Sequence, residues 1–321
     1  MGDAELSFMT IVIAEFMDEA AVASLRRRFG TTYDATLAER RDALLAAVVD
    51  AEALIVRNKA RVDAELVAAA RRLRVVGRLG VGLDNIDLVA CEARGIEVIP
   101  ATGANALAVA EYVIGAALAL LRGAYFGTAA VGAGQWPRAA LGQGREVHGK
   151  ILGVVGFGSV GRATARLACA LGMSTIGFDA HIPSAAAIWA QEQTAPRRFD
   201  DLLREADVVS LHVPLALATR GLIDAEKLSL MKREAILVNT ARGGVVNEAA
   251  LAAALKAGQL GGAAVDVFET EPLPSGSSLS GCPNLILTPH IAGVTRESNV
   301  RVSALIADKV AAALEASRPS A

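Results

Sequence analysis

Short apolar runs alternate with stretches of helical spacing from the start of the chain. TIVIAEF from Thr10, EALIVRN from Glu52, RVVGRLG from Arg74 and IEVIPA from Ile96 read as strands, with DEAAVASLRRRF, DAELVAAARRL and LVACEARG as the helices near them. Runs so continuous suit parallel strands covered by helices on both faces rather than a sheet with one wet side. A long small-residue segment, Ala104 to Gly123, and a glycine-rich connection holding Trp136 then interrupt the alternation. It restarts with ILGVVGF, STIGFD, DVVSLHV, AILVNTA, GGAAVDVF and NLILTPH, and the last segment, from Thr295, has the spacing of one amphipathic helix. The pattern predicts two α/β domains with a boundary near Ala101 to Asn105.

Composition refines this picture. At 321 residues the chain exceeds one ordinary core. It is 53% hydrophobic with only 4% aromatic residues, so the cores must be built from Ala, Val, Leu and Ile. A formal charge of -2 without a long basic run argues against a general nucleic-acid binder. Cys91, Cys169 and Cys282 lack metal-ligand spacing and are odd in number, so neither a zinc site nor a disulfide framework is expected, and a reducing, cytoplasmic setting is. The first residues read as a short tail before a strand, with no basic region ahead of the apolar run. Ala104 to Gly123 approaches membrane-spanning length, but Asn105 and Glu111 interrupt it and its small residues suit a buried helix.

The candidate chemistry begins at Gly156, Gly158 and Gly161, a G-x-G-x-x-G after an apolar strand and at the start of a helix. There the first glycine permits a tight turn, the second lets a pyrophosphate approach the backbone, and the third lets helix and strand pack closely. Free amides and the dipole of the helix N-terminus favour the anion. The next strand ends in Asp179, eighteen residues beyond Gly161, where a carboxylate can accept from both ribose hydroxyls of an adenosine. That carboxylate favours NAD over its 2′-phosphorylated form. Reduction of a carbonyl beside such a cofactor needs an acid, a cation and a group to orient the acid. His290, Arg242 and Glu271 stand at or just past strand ends, where catalytic groups of open parallel sheets collect.

Together GFGSVGRATARLACALGM, SLHVPLALATRGLI, the NTARGGVVNEAA…VDVFETEPL stretch and NLILTPHIAG resemble the D-isomer-specific 2-hydroxyacid dehydrogenases, and GRLGVGLDNID with GQWPR is most similar to the branch containing phosphoglycerate dehydrogenase. The resemblance implies a flavodoxin-like substrate domain (1–102 with 292–321) and a Rossmann NAD domain (103–291), both doubly wound. It implies that His290 is the acid/base, Glu271 the carboxylate holding one ring nitrogen, and Arg242 the grip on substrate carboxylate and keto oxygen. Ser159 and Val160 of the glycine loop, His212, Pro214, Thr219, Thr240, Ala241 and Gly293 join the cofactor set. Asp266 is either near the nicotinamide amide or a buried strand-end cap. Val81 and Gly82 match a loop whose amides hold the substrate carboxylate, and Asn105 a polar cleft residue.

Arg57 and Arg78 are each either solvated charges or, with Arg138, parts of a second anion site. As a site they imply a substrate with a C3 phosphate or sulfonate, 3-phosphoglycerate or sulfolactate, with hydroxypyruvate or glyoxylate as simpler alternatives. Family dimers cross arms near GQWPR, so a homodimer is expected, with Trp136 a packing anchor and Arg138 directed toward the partner. Phosphoglycerate dehydrogenases often add a regulatory domain after the last helix, whereas this sequence ends at Ala321. An NAD-binding corepressor with this fold is the alternative from another class.

Overall fold

The computed structural model describes residues 9–316, so the expected N-terminal tail lies outside them through residue 8. The described residues form two compact units, one ending at Asn105 and resuming at Thr295, the other Ala106–Val294.

In the first unit, strands β1 (Thr10–Ile13), β2 (Gly30–Tyr33), β3 (Ala53–Val56), β4 (Val75–Arg78) and β5 (Glu97–Pro100) make a wholly parallel sheet in the order β2-β1-β3-β4-β5. That is the flavodoxin-type doubly wound order, and its direction of winding reverses between β1 and β3. Side chains alternate between two buried faces. Ile11, Ile13 and Ile55 pack with Val22 and Leu25 of helix Glu19–Arg26 and with Ile306 and Val310 of helix Arg296–Ala316. Val12, Leu54 and Val56 pack with Leu44, Leu66 and Cys91 on the other face.

The second unit holds β6 (Ile151–Val155), β7 (Ser174–Phe178), β8 (Thr194–Pro196), β9 (Val208–Leu211), β10 (Ile236–Asn239), β11 (Gly262–Val265) and β12 (Leu285–Leu287). Their order, β12-β11-β10-β9-β6-β7-β8 and all parallel, is the Rossmann order extended by one strand. The reversal falls between β6 and β9. Helix Ala106–Arg122 is a core element: Val113, Ala117, Leu120 and Leu121 pack with Leu152, Val154, Ile236 and Val238. Among the described residues no single helix is long and apolar enough to cross a membrane; the bent pair Ala106–Arg122 and Ala124–Gly132 qualifies by length and composition alone.

Two strands, β2 and β8, have no counterpart in the apolar pattern. Both lie at sheet edges, where one side of the strand needs no partner and the demand for apolar side chains falls. β2 is GTTY with alternating exposed and half-buried positions, and β8 is TAP.

Helix Arg296–Ala316 begins at a reciprocal cap: Ser298 N donates to Thr295 Oγ1 at 3.0 Å and Thr295 N to Ser298 Oγ at 2.8 Å. It lies so close to β4 that a Cβ on Gly77 would sit 2.7 Å from Val310 Cγ2 and 2.8 Å from Ile306 Cγ2. Both neighbours are β-branched and stiff. Gly77→Ala is therefore expected to destabilise the protein by about 1–3 kcal/mol in urea unfolding, with partial recovery in the Gly77→Ala/Val310→Ala double variant. An unchanged midpoint in the single variant would contradict this packing.

Candidate active site

β6 ends at Val155 and helix Ser159–Ala170 begins shortly after it. Gly156 turns the chain with φ +92°, and a Cβ there would lie 2.7 Å from His212 O. At Gly161 a Cβ would lie 2.2 Å from Gly156 O, so this glycine sets how closely the helix meets the strand. A Cβ at Gly158 would meet nothing within 4 Å; the space there is open. Gly158 has no side chain to cap the amides of the first turn, which begins with Ser159 and Val160. An open approach and uncapped helix amides fit a dinucleotide pyrophosphate.

Asp179 follows β7 directly and has a second task beyond the one its position in the sequence suggests. Its Oδ2 accepts from Phe157 N at 2.8 Å and its Oδ1 from His181 N at 2.9 Å, tying the end of β7 to the glycine loop. Each oxygen retains a lone pair for a ribose hydroxyl. Thr219 is committed locally: its Oγ1 donates to Pro214 O at 2.6 Å and accepts from Ala216 N at 2.8 Å, closing the loop after β9.

Beyond β10, buried Asn239 shapes the turn. Its Oδ1 accepts from Ala241 N at 3.1 Å and its Nδ2 donates to Arg242 O at 3.2 Å. Arg242 Nη1 donates to Ala241 O at 2.6 Å. Ala241 is buried, and among the described residues the buried Thr240 Oγ1 finds no hydrogen-bond partner. A buried hydroxyl in that condition is a natural point of cofactor contact.

Beyond β11 stands Asp266, 1% exposed. Its Oδ1 accepts from Ile291 N at 2.8 Å and Thr288 Oγ1 at 2.6 Å, and its Oδ2 from Ala292 N at 2.8 Å. The buried strand-end cap, one of the two roles open to it, is thus built. Thr288 Oγ1 also meets Tyr112 Oη at 2.6 Å, which ties the strap 288–292 to helix Ala106–Arg122. Within that strap His290 adopts φ +56°, a left-handed conformation that a histidine rarely takes, while its N donates to Asp266 O at 2.8 Å. His290 Nδ1 lies 2.8 Å from Glu271 Oε2, and Glu271 Oε1 accepts from Phe268 N at 3.0 Å. A carboxylate oxygen only accepts, so Nδ1 carries the proton and Nε2 is left for chemistry. Both side chains remain solvent-accessible, at 44% and 37%. Gly293, just past the strap, is half-buried.

In the first unit, the carboxylate of Glu15, buried after β1, accepts from four successive backbone amides, Arg57 to Ala60, at 2.7, 3.3, 3.1 and 3.0 Å. This fixes the loop after β3. Arg57 Nη2 donates to Asn299 Oδ1, and the guanidinium stands 5.9 Å from the Phe16 ring centroid. Burial pushes the Arg57 pKa below its ordinary value, with the charge of Glu15 opposing. Arg78 Nη1 donates to Leu79 O at 3.1 Å as the side chain folds across Gly80. Val81 is exposed and Gly82 half-buried. Asn105 Oδ1 is buried without a partner among the described residues.

Arg138, in the second unit, is exposed at the start of the short helix Arg138–Leu141. Trp136, expected as a packing anchor, is 79% exposed in the chain by itself. Sequence reasoning passed over Asn239, Thr288, Tyr112, Glu15 and Asn299. Only Asn239 carried a local signal, an Asn two residues before the amide it caps.

His212, at the end of β9, accepts or donates through Nε2 to Ser210 Oγ at 2.8 Å. Burial lowers its pKa to about 3. Charging this ring is therefore disfavoured in the folded state, and the imidazole is expected to stay neutral across the pH range in which a free histidine titrates. NMR of the ring should show no titration between about pH 8 and 5; a midpoint near the free-histidine value would refute the neutral ring. Because the folded pKa lies below the unfolded one, this residue's contribution to stability is lost as pH falls from the unfolded value toward about 3.

Comparison with known proteins agrees with this architecture. The model of the D-isomer specific 2-hydroxyacid dehydrogenase family, NAD binding domain, matches residues 114–292. The chain is 54% identical over 304 residues to a protein named (S)-sulfolactate dehydrogenase from Chromohalobacter salexigens, covering 95% of this chain and 98% of that one. It is 38% identical over 304 residues to D-3-phosphoglycerate dehydrogenase of Archaeoglobus fulgidus, covering 94% of this chain but 56% of that relative, so it spans little more than half of the latter's length. The crystal structure of the TT0316 protein from Thermus thermophilus superposes with a TM-score of 0.86 at 36% identity, over 97% and 98% of the two chains. With its glycine loop, its Rossmann strand order and these matches, the chain belongs to the D-isomer specific 2-hydroxyacid dehydrogenase family and is an NAD-dependent oxidoreductase.

Proposed function

We propose that the protein interconverts a three-carbon 2-hydroxy acid bearing a C3 sulfonate, sulfolactate, with its 2-keto acid. The observation that carries the catalytic part is the His290–Glu271 pair at 2.8 Å, on a strap fixed by Asp266. The substrate part is supported by the 54% identity to a sulfolactate dehydrogenase along nearly the whole of both chains. The 38% identity to phosphoglycerate dehydrogenase supports a C3 phosphate as the second reading.

NAD, when bound, supplies the hydride acceptor at C4 of its nicotinamide. The amides of Ser159 and Val160, beside the open Gly158, receive the pyrophosphate, Asp179 the ribose hydroxyls, and Thr240 and Ala241 the nicotinamide end. Arg242 holds the substrate carboxylate and polarises the C2 oxygen. In oxidation His290 Nε2 takes the proton of the C2 hydroxyl, and in reduction it returns the proton to the keto oxygen. Glu271 keeps Nδ1 protonated throughout, so only Nε2 exchanges protons.

In this reading the unit ending at Asn105, with the C-terminal helix, is the substrate domain, and Val81, Gly82 and Asn105 hold the carboxylate that every substrate of the class carries. Arg57 and Arg78 answer the C3 anion. The enzyme works as a homodimer through the segment carrying exposed Tyr125, Phe126 and Trp136, with Arg138 reaching toward the partner. Three free cysteines support a cytoplasmic setting.

The test is a panel of 2-keto acids followed by NADH absorbance in wild type and Arg57→Ala. Sulfopyruvate should be the best substrate, and Arg57→Ala should lower its kcat/KM at least about tenfold more than that of glyoxylate, which has no C3 group, because a charge-assisted bond is worth about 1.5–3 kcal/mol. Equal losses on both would remove the C3 anion from the proposal.

A further inference from the structure

The first unit has its own topological switch point, between β1 and β3, and ligands of doubly wound sheets bind beyond the strand ends there. Glu15 follows β1 and Arg57 follows β3. Four successive amides of the Arg57–Ala60 loop converge on one point, the arrangement that elsewhere receives an anionic ligand. Here the Glu15 carboxylate already fills it. Lys59, in the same loop, is paired with Glu39. The cation that remains to this loop is the Arg57 guanidinium.

Its partner sets it apart from the ion-paired arginines of the chain. Arg28, Arg40, Arg41, Arg72, Arg166 and Arg197 each meet a carboxylate. Arg57, half-buried, makes no ion pair among the described residues and is oriented by the neutral amide oxygen of Asn299, in the first turn of helix Arg296–Ala316. An amide oxygen fixes the direction of a guanidinium without cancelling its charge; a carboxylate at the same place would do both. Partial burial makes the uncancelled charge costly, so it favours the arrival of an anion. The oxygens of the Glu15 carboxylate are engaged by the four amides, and its charge reaches the Arg57 guanidinium only through space, offsetting it in part without pairing with it.

Resting on the proposed C3 anion, we infer that Asn299 is a specificity-determining positioning residue: its neutral side chain aims Arg57 and leaves the guanidinium charge for the substrate's C3 sulfonate. The identity of residue 299 then decides between doubly and singly charged keto acids. An aspartate there would occupy Arg57 permanently and turn the enzyme toward substrates such as glyoxylate.

The experiment compares Asn299→Asp and Asn299→Ala with wild type, as full-length enzyme with NADH, on sulfopyruvate and glyoxylate, with KM and kcat resolved for each. Asn299→Asp should lose at least about tenfold more kcat/KM on sulfopyruvate than on glyoxylate, the loss falling mainly in KM. Asn299→Ala, which removes the oxygen and adds no charge, should lose less on sulfopyruvate than Asn299→Asp. Turnover on glyoxylate reports that each variant is folded. Equal losses on the two substrates in Asn299→Asp, or equal sulfopyruvate losses in the two variants, would overturn the inference. If Arg57→Ala is selective while Asn299→Asp is not, the role of Asn299 fails alone; if Arg57→Ala is unselective, the C3-anion reading beneath it fails.

Discussion

The buried carboxylate of Asp266 is the interaction on which the proposed chemistry depends. It accepts two backbone amides and one hydroxyl, all within 2.8 Å, from the strap 288–292. A charge-assisted bond of this kind is worth about 1.5–3 kcal/mol. The left-handed conformation of His290 costs on the order of 1–3 kcal/mol. The three bonds therefore outweigh the strain they maintain, and the ring is held where Glu271 can reach Nδ1. Without the carboxylate the strap would relax to an ordinary conformation and the His290–Glu271 distance would no longer be defined.

The same device recurs at other strand ends. Glu15 gathers four amides after β3, Asp179 ties the glycine loop to the end of β7, and Asn239 folds the turn that carries Arg242. Parallel sheets bring loops to one edge but do not fix their shape. A short polar side chain fastened to successive amides does, because those amides have no strand partner and must be satisfied. The glycine loop, the turn carrying Arg242 and the strap carrying His290 thus each rest on a neighbouring side chain fastened to backbone amides. Arg57 joins this scheme through Asn299, which orients it and leaves its charge uncancelled.

Much of this was legible in the sequence. Continuous apolar runs marked the buried strands of both sheets, and Gly156, Gly158 and Gly161 marked the helix that follows β6. The positions of His290, Glu271 and Arg242 past strand ends were readable from the apolar runs that precede them, and His290 and Glu271 do meet. Edge strands β2 and β8 were not, since their short, largely polar sequences GTTY and TAP leave no apolar signature. The fasteners were illegible for a different reason. Tyr112 meets Thr288 across 176 positions and Arg57 meets Asn299 across 242, and no local pattern encodes a bond between residues so far apart. The second task of Asp179 was hidden likewise, because a motif names the ligand of a carboxylate and not its other partners.

In the proposed reaction His290, presented by this strap, carries the substrate proton. The decisive measurement is single-turnover oxidation of NADH by sulfopyruvate, followed by stopped flow in His290→Ala, with NADH affinity measured separately. The rate should fall by about 10²- to 10⁴-fold with NADH binding within about twofold of wild type. A wild-type rate in that variant would contradict it and leave the histidine as a turn residue only.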